Sequence, residues 1–186
     1  ATQNPIESEG TYRLPEAQLD RFLMKIRVGY PGPEDELAIL QRMGRPSQAP
    51  HVEPLLNAKR LLQLCELGQQ VFLDPSLETR IVQWVQATRQ PSPRLEVGAS
   101  PRASLSLAQA GRAMALLRGR TYVVPADLKA LAPDCMRHRV VLSYEGMAAG
   151  RSADSVLEEV LAEVEGPAGG HADGADGAFA PAGAVV

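Results

Sequence analysis

Three features of the sequence predict a mainly α-helical protein. Aromatic residues make up only 4% of the 186-residue chain, and Leu, Ala, Gln, Glu and Arg dominate its body, a composition that favours helix over strand. Beyond residue 33 every strongly periodic segment has a helical repeat, and only one short run alternates with period two. With 45% hydrophobic and 22% charged residues, the chain is suited to one medium globular domain or two small ones with a genuine core.

The elements follow in order. Asn4-Pro5, Glu9-Gly10 and Leu14-Pro15 punctuate the first block with turns, and Pro15 suits the first position of a short helix running to about Phe22. Met24, Ile26, Val28 and Tyr30 then alternate with Lys25, Arg27 and Gly29, which predicts a strand with one wet face. One strand makes no sheet, so its partners are expected upstream of Ala1 or in another chain. Pro31-Gly32-Pro33 breaks the chain and marks the boundary.

Helices are predicted from the spacing of Leu37, Leu40 and Met43; of Leu55, Leu61, Leu62 and Cys65; and of Leu77, Ile81, Val82 and Val85. Ser100-Pro101 supplies an N-cap followed by Pro at the first helical position, opening a helix through Leu105, Ala108, Met114 and Leu117 to Gly119. Pro125 and Asp127 open another with Leu128, Leu131 and Met136 inward. The residues from Gly146 to Gly150 read as a flexible break, followed by an amphipathic helix carrying Val156, Leu157, Val160, Leu161 and Val164. Residues 166–186, rich in Gly, Ala and Pro and without Lys or Arg, are expected to be a disordered tail.

A net charge of −3 gives no whole-chain case for nucleic acid or an anionic membrane. Cys65 and Cys135 form no Cys-x-x-Cys pair, which fits a reducing, cytoplasmic setting and suggests no metal site. No apolar run approaches a membrane span, and no leader pattern opens the chain. Its start at Ala1, on what reads like the end of a buried strand, suggests a fragment or a processed chain.

Several motifs in sequence order carry a resemblance. Ala1-Thr2-Gln3-Asn4-Pro5-Ile6-Glu7, Glu9-Gly10-Thr11-Tyr12 and Leu14-Pro15-Glu16-Ala17-Gln18-Leu19-Asp20-Arg21-Phe22 resemble the sensor 1 to arginine-finger segment of MoxR-type AAA+ ATPases. Ala87-Thr88-Arg89, Gly98-Ala99-Ser100-Pro101-Arg102-Ala103, Gly119-Arg120-x-Tyr122-Val123-x-Pro125-x-Asp127 and His138-Arg139 resemble the lid subdomain of that family. Arg13 departs from the pattern, since Pro is usual before Leu-Pro. The resemblance implies a remnant of an AAA+ α/β core at 1–32 and an all-helical AAA+ lid at 33–165, with the tail outside it. For the complete protein it implies ATP hydrolysis with Mg²⁺ in a homo-oligomeric ring, commonly a hexamer. That energy would serve chaperone-like remodelling or metal-centre maturation of a partner protein.

The resemblance also assigns roles. Asn4 would be sensor 1 beside the γ-phosphate, where a carboxamide can bond water or a phosphate oxygen; taken alone, Asn-Pro is an ordinary turn. Arg21 would be the arginine finger acting on a neighbouring subunit's ATP, its bland reading being an exposed ion pair with Asp20. Arg102 would be sensor 2, with Ser100 beside it. Independently of any family, a cation in the first turn of a helix opposes the helix dipole and needs a justification; if an anion sits at that terminus, Arg102, the free backbone N–H groups and Ser100 together make a phosphate site, the alternative being a surface Arg tolerated at small cost.

No Gly-x-x-x-x-Gly-Lys-Ser/Thr loop occurs, and no acid pair for Mg²⁺ is recognisable. Val71-Phe72-Leu73-Asp74 imitates an acidic strand end but leads into Pro75 and lacks a following Glu. The chain alone is therefore expected to be inactive. Cys135 and His138 are read as a core thiol and a helix-terminal His rather than zinc ligands. Arg118, Arg120, Arg137 and Arg139 are read as a solvated face or subunit contact. The alternative function is a stand-alone helical protein-interaction module with no nucleotide chemistry.

Overall fold

The computed structural model describes residues 1–2, 14–44 and 53–165. The tail expected at 166–186 lies outside the described residues, as does Asn4. In order the elements are α1 (Glu16–Leu19), α2 (Pro33–Met43), α3 (Ala58–Gln70), α4 (Pro75–Ala87), β1 (Leu95–Val97), α5 (Pro101–Leu117), α6 (Pro125–Met136), β2 (Val141–Leu142), α7 (Tyr144–Ala148) and α8 (Ala153–Glu165). The protein is mainly helical, as its composition and periodicity predict.

The core lies between α4, α5, α6 and α8. Leu77, Ile81, Trp84 and Val85 on α4 meet Ala103, Leu107 and Ala110 on α5, with Leu128, Ala132 and Met136 of α6 and Val156, Leu157 and Val160 of α8 in the same cluster. Proline begins α4, α5 and α6, where its missing N–H costs no helical bond. Asp74 caps α4 by accepting from Ser76 N at 2.8 Å, so the carboxylate after the apolar run 71–73 is a helix cap, as its Pro75 neighbour indicates. Gly111 sits where α5 crosses α6: a Cβ there would lie 2.6 Å from Leu128 Cδ2.

Four expectations are corrected. Residues 24–30 form no strand; Ile26, Val28 and Tyr30 are exposed, because no ladder partner is present among the described residues. The helix expected to reach about Phe22 stops at Leu19, with Pro15 as its N-cap rather than its first residue. The break at 146–150 is in fact α7, with Gly146 buried against Arg94 O; Gly150, at φ +68°, ends the turn that follows it. A two-stranded antiparallel ribbon that was not expected pairs Leu95 with Leu142 and Val97 with Val141. Both strands are too short for a period-two signal.

Helices α2 and α3 form where the spacing places them, except that Leu55 lies ahead of α3, and neither buries a residue. Leu37, Leu40 and Met43, and likewise Leu61 and Leu62, remain exposed. Their periodicity specifies helices with an apolar face; α3 lies against α5, with Gly68 facing Leu116, yet these leucines and Met43 stay open to solvent.

Candidate functional site

The site is built around the N-terminus of α5. Ser100 is its N-cap, accepting from Arg102 N at 3.2 Å. Thr88 at the end of α4 fixes the approach: its Oγ1 donates to Val85 O at 2.7 Å and accepts from Ala99 N at 3.0 Å. Arg89 Nε donates to Ala99 O at 2.7 Å. Gly98 passes so close to α4 that a Cβ would lie 2.4 Å from Thr88 O. Two separated motifs, 87–89 and 98–102, are thus one unit that aims the first turn of α5.

Among the described residues a carboxylate of the chain itself stands at that terminus. Ser100 Oγ donates to Asp20 Oδ1 at 2.7 Å, and Arg102 Nε lies 3.6 Å from Asp20 Oδ2. The carboxylate offsets the cost of a cation against the α5 dipole, so Arg102 is neither an unaccompanied surface residue nor in need of an external ligand to be tolerated. Its side chain remains 51% exposed, and its contact with Asp20 is long. The guanidinium therefore keeps donors for a further anion.

Asp20 precedes Arg21, which lies in the exposed turn after α1 and makes no ion pair among the described residues. The bland reading, a pair with Asp20, fails because that carboxylate is engaged by Ser100, Arg102 and Arg139. The structure thus brings Ser100 and Arg102 together, with the turn bearing Arg21 beside them through Asp20. Asn4 is outside the described residues.

Arg139 is the residue that sequence reasoning missed. It is no part of a solvated face: its side chain is 2% exposed and its Nε meets Asp20 Oδ1 at 3.1 Å. Its Nη2 donates to Phe22 O at 2.6 Å, Asp20 O at 3.1 Å and Ser106 Oγ at 2.9 Å. Burial lowers its pKa, and the Asp20 charge opposes that loss. The other three arginines are also engaged. Arg118 and Arg120 close on buried Asp127 at 2.8 and 2.7 Å, and Arg137 joins Asp134 and Asp154, both at 2.7 Å. The hydrogen bond from Arg120, more than any other cause, holds the Asp127 carboxyl below its usual range. Only Asp134 and Arg137, at i, i+3, form a local pair; the other acids stand 7 to 119 residues from their arginines, and no local pattern reveals those pairings.

Among the described residues no group of three His, Cys, Asp or Glu side chains could hold a metal, and no helix is long and apolar enough to cross a membrane. Cys135 is buried, with its thiol pushed up to about 11 by desolvation, and His138 Nε2 lies 3.1 Å from Phe22 O.

Both halves of this arrangement match described families. Residues 86–160 match the AAA lid domain, and residues 1–24 match the ATPase family associated with various cellular activities. The chain is 46% identical over 175 residues to the chaperone MoxR1 of Mycobacterium tuberculosis, spanning 90% of this chain and 46% of that protein. The chain belongs to the MoxR-type AAA+ family.

The MoxR-type chain is also 42% identical to the uncharacterised protein YeaC of Bacillus subtilis, over 90% of its own length and 52% of YeaC. A crystal structure of a Cytophaga hutchinsonii protein assigned as an ATPase superposes with a TM-score of 0.80 at 38% identity, covering 86% of this chain and 51% of that one. The chain spans about half the length of these two curated relatives.

Proposed function

We propose that this chain is the C-terminal portion of a MoxR-like AAA+ ATPase, with a core remnant at 1–32, a helical lid at 33–165 and a tail at 166–186. The complete cytoplasmic protein would form a homo-oligomeric ring, a hexamer in the family's common form, and couple ATP hydrolysis to chaperone-like remodelling or metal-centre maturation of a partner protein. The observation that carries this reading is the cluster of Ser100 and Arg102 at the α5 N-terminus, tied through Asp20 to the turn bearing Arg21.

In this reading Arg102, with Ser100, is sensor 2 and meets the γ-phosphate of its own subunit's ATP. Its exposed guanidinium and long contact with Asp20 suit it to exchange a carboxylate for a phosphoryl oxygen. Arg21 is the arginine finger and Asn4 is sensor 1. A guanidinium fork neutralises charge developing on the transferred phosphoryl group, and such fingers contribute on the order of 10³ to 10⁵ in rate in other nucleotide hydrolases. Mg²⁺ would bind with ATP, but the described residues of this chain offer no cluster to hold it. Mg²⁺ and the phosphate cradle would depend on sequence that this chain does not contain, and the chain alone would be inactive.

The exposed apolar side chains of α2 and α3, among them Leu37, Leu40, Leu61 and Leu62, favour a second reading, a helical interaction module without nucleotide chemistry. Steady-state ATP turnover of the complete protein separates the two. Loss of most turnover in both Arg21→Ala and Arg102→Ala, with ring assembly intact, supports the ATPase reading; unchanged turnover in both would leave the module.

A further inference from the structure

We infer that Arg139 is a positioning residue for Arg21, locking the turn that bears it to the lid; the inference rests on the arginine-finger reading above. The main-chain oxygens accepting from Arg139 Nη2 belong to Asp20 and Phe22, the two neighbours of Arg21, at 3.1 and 2.6 Å. The first fixes the peptide entering Arg21, and the second fixes the peptide one residue beyond it. The same guanidinium takes the Asp20 carboxylate at 3.1 Å on Nε. It is anchored behind by Ser106 Oγ of α5 at 2.9 Å and by Cys135 O of α6.

The arrangement has a direction. Apart from the turn itself, every partner of Arg139 belongs to the lid, and α5 is the helix whose first turn carries Ser100 and Arg102. The guanidinium thus joins the turn that would act on a neighbour's nucleotide to the helix that would sense its own. The exposed turn has little apolar anchorage: α1 buries no residue, Phe22 and Leu23 are exposed, and Met24 just beyond them packs partly buried against the core. The turn's placement falls mainly to polar bonds, and Arg139 supplies more of them than any other described side chain. His138 and Arg137 add single bonds, to Phe22 O at 3.1 Å and to Lys25 O at 3.0 Å. Lysine keeps the charge but not the planar fork, so it cannot reach the carboxylate, the two carbonyls and Ser106 together.

The test compares Arg139→Lys, Arg21→Ala and the double variant in the complete ATPase, measuring kcat and KM for ATP together with ring assembly by light scattering. Misplacing the finger lowers kcat in R139K by about 10- to 100-fold and leaves KM within about twofold, because the finger contributes to chemistry rather than to ATP binding. The double variant turns over no more slowly than R21A. If kcat in R139K stays within about twofold of the unmodified protein while R21A is inactive, the inference falls and the finger reading stands. If the two losses multiply in the double variant, Arg139 acts by some route other than Arg21, and the inference again falls. If R21A retains full turnover, the finger reading fails first and takes the inference with it. Should R139K not assemble, Ser106→Ala decides the matter, since it removes one anchor of the guanidinium and keeps the fork. A drop in kcat of about threefold that disappears in the R21A background supports the inference, and an unchanged kcat overturns it.

Discussion

Asp20 accepts a hydrogen bond from Arg139 Nε at 3.1 Å across 119 residues of chain. The same carboxylate takes Ser100 Oγ at 2.7 Å, so one acid joins the turn after α1, the α5 N-terminus and the end of α6. Three stretches that resemble separate family motifs become one polar cluster. The buried member is the cation, and that decides what removing the acid costs.

Asp20→Ala should destabilise the chain by about 2 kcal/mol, since it strands a buried guanidinium whose remaining partners are mostly neutral carbonyls. Urea unfolding followed by circular dichroism measures this. A loss below about 0.5 kcal/mol would mean that the cluster contributes no more than a surface ion pair.

Gly98→Ala should cost on the order of 2 kcal/mol, because its Cβ would meet Thr88 O at 2.4 Å and the backbone on both sides is held by hydrogen bonds. The strain falls on the segment that aims Ser100. Unchanged thermal stability of the variant would contradict the close approach.

His138 gives the fold a pH dependence. Desolvation lowers its pKa from 6.5, with Arg139 and Lys25 nearby acting in the same direction, while the bond to Phe22 O and the Asp20 charge oppose them. Between that lowered value and 6.5 the unfolded chain binds more protons than the folded one, so stability falls as pH drops through this window. Above 6.5 the contribution is fully present. Thermal melts from pH 8 down to about 5 should show a slope that flattens in His138→Gln.

The thiols should separate by accessibility. Cys65 is exposed, whereas Cys135 is buried with its pKa near 11. A disulfide reagent at neutral to mildly alkaline pH should titrate one thiol in the native chain and the second only after denaturation. Two fast thiols would show that α6 opens readily.

Helix identity was largely legible in the sequence because it depends on local matters: apolar spacing, Ser100 as a cap, and proline at the first helical positions. The alternation over residues 24–30 was equally legible and misled, since a strand exists only when another strand pairs with it. The ribbon at 95–97 and 141–142 escaped notice for the converse reason: two or three residues carry no period, and only the folded bundle brings them together.

The candidate site divides along the same line. Local chemistry at 100–102 marked Ser100 as a cap and Arg102 as a cation out of place against a helix dipole, which pointed to a phosphate site. That the Asp20 carboxylate stands beside Ser100 and Arg102, that Arg139 is buried rather than solvated, and that Thr88 aims the segment before α5 were decided by tertiary structure alone. A sequence records which residues can cap, pair or repel within a turn or two of helix. Which charge meets which across 80 or 119 residues is set by how the helices pack, because packing removes water from some arginines and forces a partner on them.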